Sequence, residues 1–101
     1  MVTSQAVFRA VADPTRRRIL ARLRKSPLET GRIARAFPVS RPAISKHLRV
    51  LREAGLVRRR RQGRRCLYTL NAAPLKAVEE WVSLYRDSMS GAPGRSDPKL
   101  P

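Results

Sequence analysis

The side chains able to do chemistry in this 101-residue chain are basic and hydroxylic, not nucleophilic or metal-binding. Between residues 40 and 52, Ser40, Arg41, Pro42, Ser45, Lys46, Arg49 and Arg52 fall opposite Ile44, Leu48 and Leu51 when wound at helical spacing. That set suits the edges and backbone of duplex DNA. An arginine forks onto guanine O6 and N7, serine hydroxyls bond base edges or phosphate, and proline packs on a thymine methyl. Arg41 is expected to read guanine, Ser40 and Ser45 to bond base or phosphate, and Pro42 to meet thymine. Lys46 and Arg49 are expected to grip phosphate and set register. A second basic set, Arg58, Arg59, Arg60, Arg61, Arg64 and Arg65, surrounds Gln62-Gly63. There Arg61, Gln62 and Arg64 are expected at phosphates or in a narrow minor groove. A solvated face and a charged strand edge that blocks aggregation are the plainer readings of the same residues.

Covalent chemistry is poorly supplied. His47 is the lone imidazole, read as a structural hydrogen-bonding residue, a DNA contact or, least of all, a metal ligand. Cys66 is the lone thiol, so no disulfide forms within the chain and one Cys with one His argues against a Cys/His zinc site; it reads as a small apolar strand residue, with redox sensing the lesser alternative. The carboxylates Asp13, Glu29, Glu53, Glu79, Glu80, Asp87 and Asp97 are scattered, and there is no glycine-rich phosphate loop. No catalytic residue, metal or cofactor is expected. The net charge of +16, with 42% apolar residues, instead describes a globular domain that needs a polyanionic partner or an anionic surface, nucleic acid or an acidic membrane. Residues 1–12 lack a basic segment followed by an apolar one, and no window approaches about 18 apolar residues. A cytoplasmic protein off the membrane is expected.

The elements that must position these groups follow from caps and periods. Residues 4–11 read as a short helix with Val7, Phe8, Val11 and Ala12 on one side. Asp13-Pro14 caps a second over 14–25 that buries Ile19, Leu20 and Leu23. Its Arg16, Arg17 and Arg18 read as a solvated run, with contact of one of them to backbone phosphate as the alternative. A third helix over 30–36 buries Ile33, Ala34 and Phe37, and Pro38 stops it. Ser40 caps a fourth that runs to about Ala54 with Ile44, Leu48 and Leu51 inward, and Gly55 ends it. The period then becomes two, giving strands 56–62 and 65–70 about a tight turn in which Gly63 takes positive φ. The last helix spans 74–89, with Leu75, Val78, Val82, Tyr85 and Met89 at offsets 0, 3, 7, 10 and 14, widened by Trp81 and Leu84. A chain this size has little left to cover that face, so a partner is expected. Residues 1–90 form the domain, and 91–101 read as a disordered Pro/Gly-rich tail.

Helix, short turn and helix with a polar outward face is the helix-turn-helix pattern, and the full order is similar to a winged helix-turn-helix, an α+β but mainly helical fold. The expected fold has four helices, a hairpin wing and a C-terminal dimerisation helix. At residue level, 8–20 (FRAVADPTRRRIL), 37–51 (FPVSRPAISKHLRVL) and 53–57 (EAGLV) followed by Gln62-Gly63-Arg64 resemble the ArsR/SmtB family of bacterial transcription regulators. The resemblance implies a homodimeric repressor on operator DNA, paired through its first and last helices. Val7, Phe8, Val11, Leu75, Val78, Trp81, Val82 and Tyr85 are then the expected interface. Where metal sensors of that family place Cys at the start of the third helix, this chain has Glu29 and Gly31, and residues 74–89 contain no His. The resemblance therefore extends to DNA binding and pairing but not to metal or thiol sensing, and it names no effector. A sequence-blind architectural DNA-binding protein is the alternative. An RNA-binding module fits less well, because the aromatics lie on apolar stripes or a strand.

Overall fold

The computed structural model describes residues 2–91; most of the expected tail, 92–101, lies outside the described residues. Thr3 opens the first helix, α1 (Ser4–Val11), its hydroxyl accepting the Ala6 N–H at 3.1 Å. Asp13 then caps α2 (Pro14–Lys25), accepting the Arg16 N–H at 3.0 Å, with Pro14 in the first turn where no N–H is needed. A two-residue strand, β1 (Leu28–Glu29), leads into α3 (Thr30–Ala36), and after a short turn comes α4 (Arg41–Glu53). The hairpin is β2 (Val57–Gln62) and β3 (Arg65–Leu70). A 3-10 turn over Ala73–Leu75 precedes α5 (Lys76–Ser83) and α6 (Arg86–Met89). The wing and the helix-turn-helix are as expected from the sequence.

The core joins all the helices except α6 to the base of the hairpin. Val7 and Ala10 of α1, Ile19, Leu20 and Leu23 of α2, Ile33 of α3, and Ile44, Leu48 and Leu51 of α4 are buried with Leu56, Val57 and Tyr68. Leu75 and Val78 pack against its edge. The three expected inward residues of α4 thus root the helix, leaving its opposite face to solvent. Gly55 takes φ +74, a conformation that favours glycine; a Cβ there would also come within 2.8 Å of a methyl of the exposed Val2, which can shift aside. Asn71 braces the same turn, donating from Nδ2 to the Gly55 carbonyl at 2.8 Å.

Three features depart from the expectation. The sheet has a third strand, in the order β1-β3-β2, with Leu28 opposite Tyr68 and Glu29 opposite Leu67. Two residues carry no alternation, so the pattern could not announce them. The helix expected over 74–89 is divided. The Leu84 and Tyr85 N–H groups bond the carbonyls of Trp81 and Val82, three residues back, and this tightened turn separates α5 from α6. Tertiary packing, which sustains helix length, ends with α5's inner face. Finally, the Arg16 and Arg17 side chains are bonded to backbone instead of merely solvated. Arg16 donates to the Ala10 and Arg9 carbonyls at 2.8 and 3.0 Å, and Arg17 to Val11 at 2.7 Å, so both satisfy the carboxyl end of α1. Among the described residues no helix is long and apolar enough to cross a membrane.

Candidate nucleic-acid interface

Helix α4 is aimed by its two ends and its buried stripe. The Ser40 hydroxyl accepts the Ala43 N–H at 3.2 Å, leaving its own O–H to donate outward. Opposite the buried stripe, Pro42, Ser45, Lys46, Arg49 and Arg52 recur at offsets 0, 3, 4, 7 and 10. With Arg59 and Tyr68 from the hairpin they line an open groove of about 570 Å³. Helix and wing are therefore two walls of one basic trough. A helix of this kind fits the DNA major groove, whose base edges present distinct donor and acceptor patterns.

Register decides which wing arginines share that trough. Arg59 stands opposite Tyr68 and Arg61 opposite Cys66, while Arg58 pairs with Thr69 and Arg60 with Leu67. Directly opposed residues share a face, so Arg59 and Arg61 lie on the Tyr68 side and Arg58 and Arg60 on the other. The tip residues Arg61, Gln62 and Arg64 are all exposed. The turn itself is Gly63-Arg64, with Gly63 at φ +64 and no non-glycine residue at positive φ, the pattern of a type II′ hairpin turn. Arg65, at the base of the turn, is held by Glu29 at 3.1 Å, so β1 neutralises one of the six hairpin arginines. Cys66 is half-buried against the core.

Arg41 lies outside the groove lining. A Cβ at Gly31 would sit 3.5 Å from an Arg35 guanidinium nitrogen and 3.9 Å from one of Arg41. Two guanidinium groups thus gather over the bare backbone of α3, at one of the positions where metal-sensing relatives were expected to differ. Arg35 joins this surface without having been singled out in the sequence, whereas Arg52 and Arg59 were read there as basic residues of the helix face and hairpin but not as DNA contacts. Arg52 only extends the outward helical series by one more step. Arg59 needed the strand register, and Arg35 needed the packing of α3 on α4.

His47 faces inward and is 18% exposed in its side chain. Arg16 lies 3.2 Å from its Nδ1. A guanidinium only donates, so Nδ1 accepts and the ring proton is placed on Nε2. Asp13 approaches the same nitrogen to 4.0 Å. The Arg16 backbone N–H, above all, holds the Asp13 carboxyl below its usual pKa of 3.8, against a smaller opposing effect of burial. Asp13, Arg16 and His47 form a brace between α1, α2 and α4. No group of three or more His, Cys, Asp or Glu among the described residues is placed to hold a metal.

The expected pairing residues divide in the same way. Val7 is 1% exposed and is used up in the chain's own core, so it has no surface to offer a partner. Val11, Leu75 and Val78 are half-buried against that core. Phe8 meets Trp81 edge to face at 5.8 Å, and Trp81 meets Tyr85 at 5.5 Å, an aromatic ladder along the outside of α1 and α5. Trp81 is 51% exposed, with Leu84 at 76% and Met89 at 63% beside it.

Residues 11–60 match the helix-turn-helix domain family. The chain is 49% identical over 71 residues to the HTH-type transcriptional regulator Rv2034 of Mycobacterium tuberculosis, spanning 70% of this chain and 66% of that relative. It is 40% identical over 76 residues to the transcriptional repressor SdpR of Bacillus subtilis, spanning 75% of this chain and 84% of the relative. Among solved structures it is similar to an ArsR family transcriptional regulator, RHA00566, at 32% identity and a TM-score of 0.74, over 85% of this chain and 94% of that one.

Proposed function

The chain belongs to the ArsR/SmtB family of helix-turn-helix transcriptional regulators, and from that premise we propose that it acts in the cytoplasm as a homodimeric repressor on an inverted-repeat operator. It is a DNA-binding regulator and not an enzyme. The observation that carries the finer reading is the trough: one face of α4 and the inner face of the wing, with four basic side chains (Lys46, Arg49, Arg52 and Arg59) and no carboxylate in its lining.

A helix docked through the Pro42, Ser45, Lys46, Arg49 and Arg52 stripe brings the middle of that stripe closest to the base edges. Ser45, Lys46 and Arg49 then read bases, with Arg49 forking onto guanine and Pro42 packing on a thymine methyl. Arg52 and Arg59 hold phosphates on one side, and Arg35 and Arg41 hold them on the other. The tip residues Arg61, Gln62 and Arg64 extend the backbone contact. His47 supports the helix from within through Arg16 and Asp13. The stripe thus exchanges the roles that the sequence had suggested for Arg41 and Arg49. Pairing through Phe8, Trp81, Val82 and Tyr85, with Leu84 and Met89, covers the aromatic ladder and presents two troughs to one duplex.

Competition binding on operator and on random duplex tests these roles. Arg49→Ala is expected to cost about 1–3 kcal/mol on the operator and much less on random DNA, relaxing one base pair per half-site. Arg41→Ala should weaken both by the same factor. The opposite allocation, with Arg41 selective and Arg49 indifferent to sequence, would overturn the assignment.

A further inference from the structure

A second basic surface lies outside the trough. On α2, Arg18, Arg22 and Lys25 recur at offsets 0, 4 and 7, all exposed, with Ala21 between them and Arg24 alongside. Together with Phe37, from the turn that joins α3 to α4, these residues line an open groove of about 380 Å³. None of them lines the α4 trough. Helix α2 contains no acidic residue, and among the described residues no carboxylate pairs with Arg18, Arg22, Arg24 or Lys25. Like charges four residues apart on a helix repel, which the favourable placement of Arg22, Arg24 and Lys25 in the last turn of α2 offsets only in part. Arg16 and Arg17 of the same helix hydrogen-bond the carbonyls that end α1; among the described residues Arg18, Arg22, Arg24 and Lys25 make no comparable bond. Its side chains are arginine-rich, whose fork suits phosphate oxygens.

We propose that this α2 surface is a second binding site for the phosphate backbone of duplex DNA, distinct from the contact made by α4 and the wing. The inference rests on the DNA-binding reading given above. The phosphates belong either to the duplex flanking the operator or to a second duplex, and both sources offer the same ligand chemistry. A regulator built this way grips more DNA than it reads, or holds two segments together.

The test compares the full chain, Arg18→Gln/Arg22→Gln, and a charge-matched control, Lys76→Gln/Arg86→Gln, which removes two cations remote in sequence from the stripe. One arm measures the salt dependence of affinity for an operator duplex trimmed to its two half-sites and for the same operator extended by about two helical turns at each end. The other measures capture of a labelled free duplex by protein held on a bead-bound operator. On the extended duplex the stripe variant is expected to have a salt slope shallower than the control's by about 0.9 for each phosphate lost, or about 1.8 for two. Loss of capture of the free duplex, with the slope unchanged, assigns the site to a second duplex instead. Arg18→Lys/Arg22→Lys should restore whichever property was lost. The trimmed operator should bind the stripe variant and the control alike; if it bound neither the wild type nor any variant, the operator reading itself would fail. Melting of the stripe variant at or above the wild-type temperature confirms that it folds. Stripe variant and control indistinguishable in both arms would overturn the second site.

Discussion

At the scale of single residues, the brace of Asp13, Arg16 and His47 shows how polar groups near a binding helix serve the fold first. Asp13 carries α2's cap, so Asp13→Ala should cost about 1 kcal/mol at neutral pH. Its carboxyl is held below the usual 3.8, mainly by the Arg16 backbone N–H. A depressed pKa contributes stability above the ordinary carboxylate value and loses it as pH falls through the lower folded value. The deficit of Asp13→Ala in denaturant unfolding should therefore shrink as the pH is taken below about 4. Asp13→Asn, which keeps a capping oxygen, should unfold with less dependence on acid than wild type. A deficit equal at neutral and acid pH would show that the charge on Asp13 contributes nothing. The Asp13 and Ser40 N-caps were legible because an oxygen before a proline-containing first turn is a local signal; the Thr3 cap, with no proline after it, was not. The placement of Arg16 on the carbonyls of Arg9 and Ala10 was not, because it depends on how α1 and α2 meet across Ala12 and Asp13.

At the scale of elements, the wing and the aromatic ladder each depend on a feature that can be tested separately. Gly63 holds the hairpin turn at φ +64, with nothing within 4 Å of the position. Gly63→Ala should thus lose about 1–2 kcal/mol from backbone strain alone, without a steric clash. Because α4 is rooted independently in Ile44, Leu48 and Leu51, that variant should keep its helical circular dichroism. It should bind operator more weakly through displacement of Arg59, Arg61 and Arg64. Unchanged affinity would mean the wing does not touch DNA. On the other side of the molecule, Trp81→Ala removes the centre of the ladder formed with Phe8 and Tyr85. Sedimentation should show its dimer dissociating at least tenfold more readily than wild type, the loss expected for a central interface aromatic. An unshifted equilibrium would place the pairing surface elsewhere. The helices and hairpin were legible because caps, glycines and periods are all local. Strand β1 and the break between α5 and α6 were not, since the first is too short to show a period and the second reflects where packing stops.

At the scale of the whole molecule, charge and shape agree. Of the chain's +16, all but the +1 from Arg95, Lys99 and Asp97 belongs to a body measuring 58 × 29 × 24 Å, whose radius of gyration of 16.9 Å exceeds the roughly 13 Å of a compact domain of this size. The long axis leaves Trp81, Leu84 and Met89 uncovered, and the cations divide between the α4 trough, the outer wing and the α2 stripe. A second copy over the first region turns two troughs toward one duplex, so symmetry in the protein should appear as symmetry in the DNA it selects. Selection of bound sequences from a random duplex library measures this directly. The expected result is an enriched inverted repeat with half-site centres about one helical turn, or a multiple of it, apart. Recovery of sequences no different from the starting pool, or of a single unrepeated site, would contradict a paired, sequence-reading regulator.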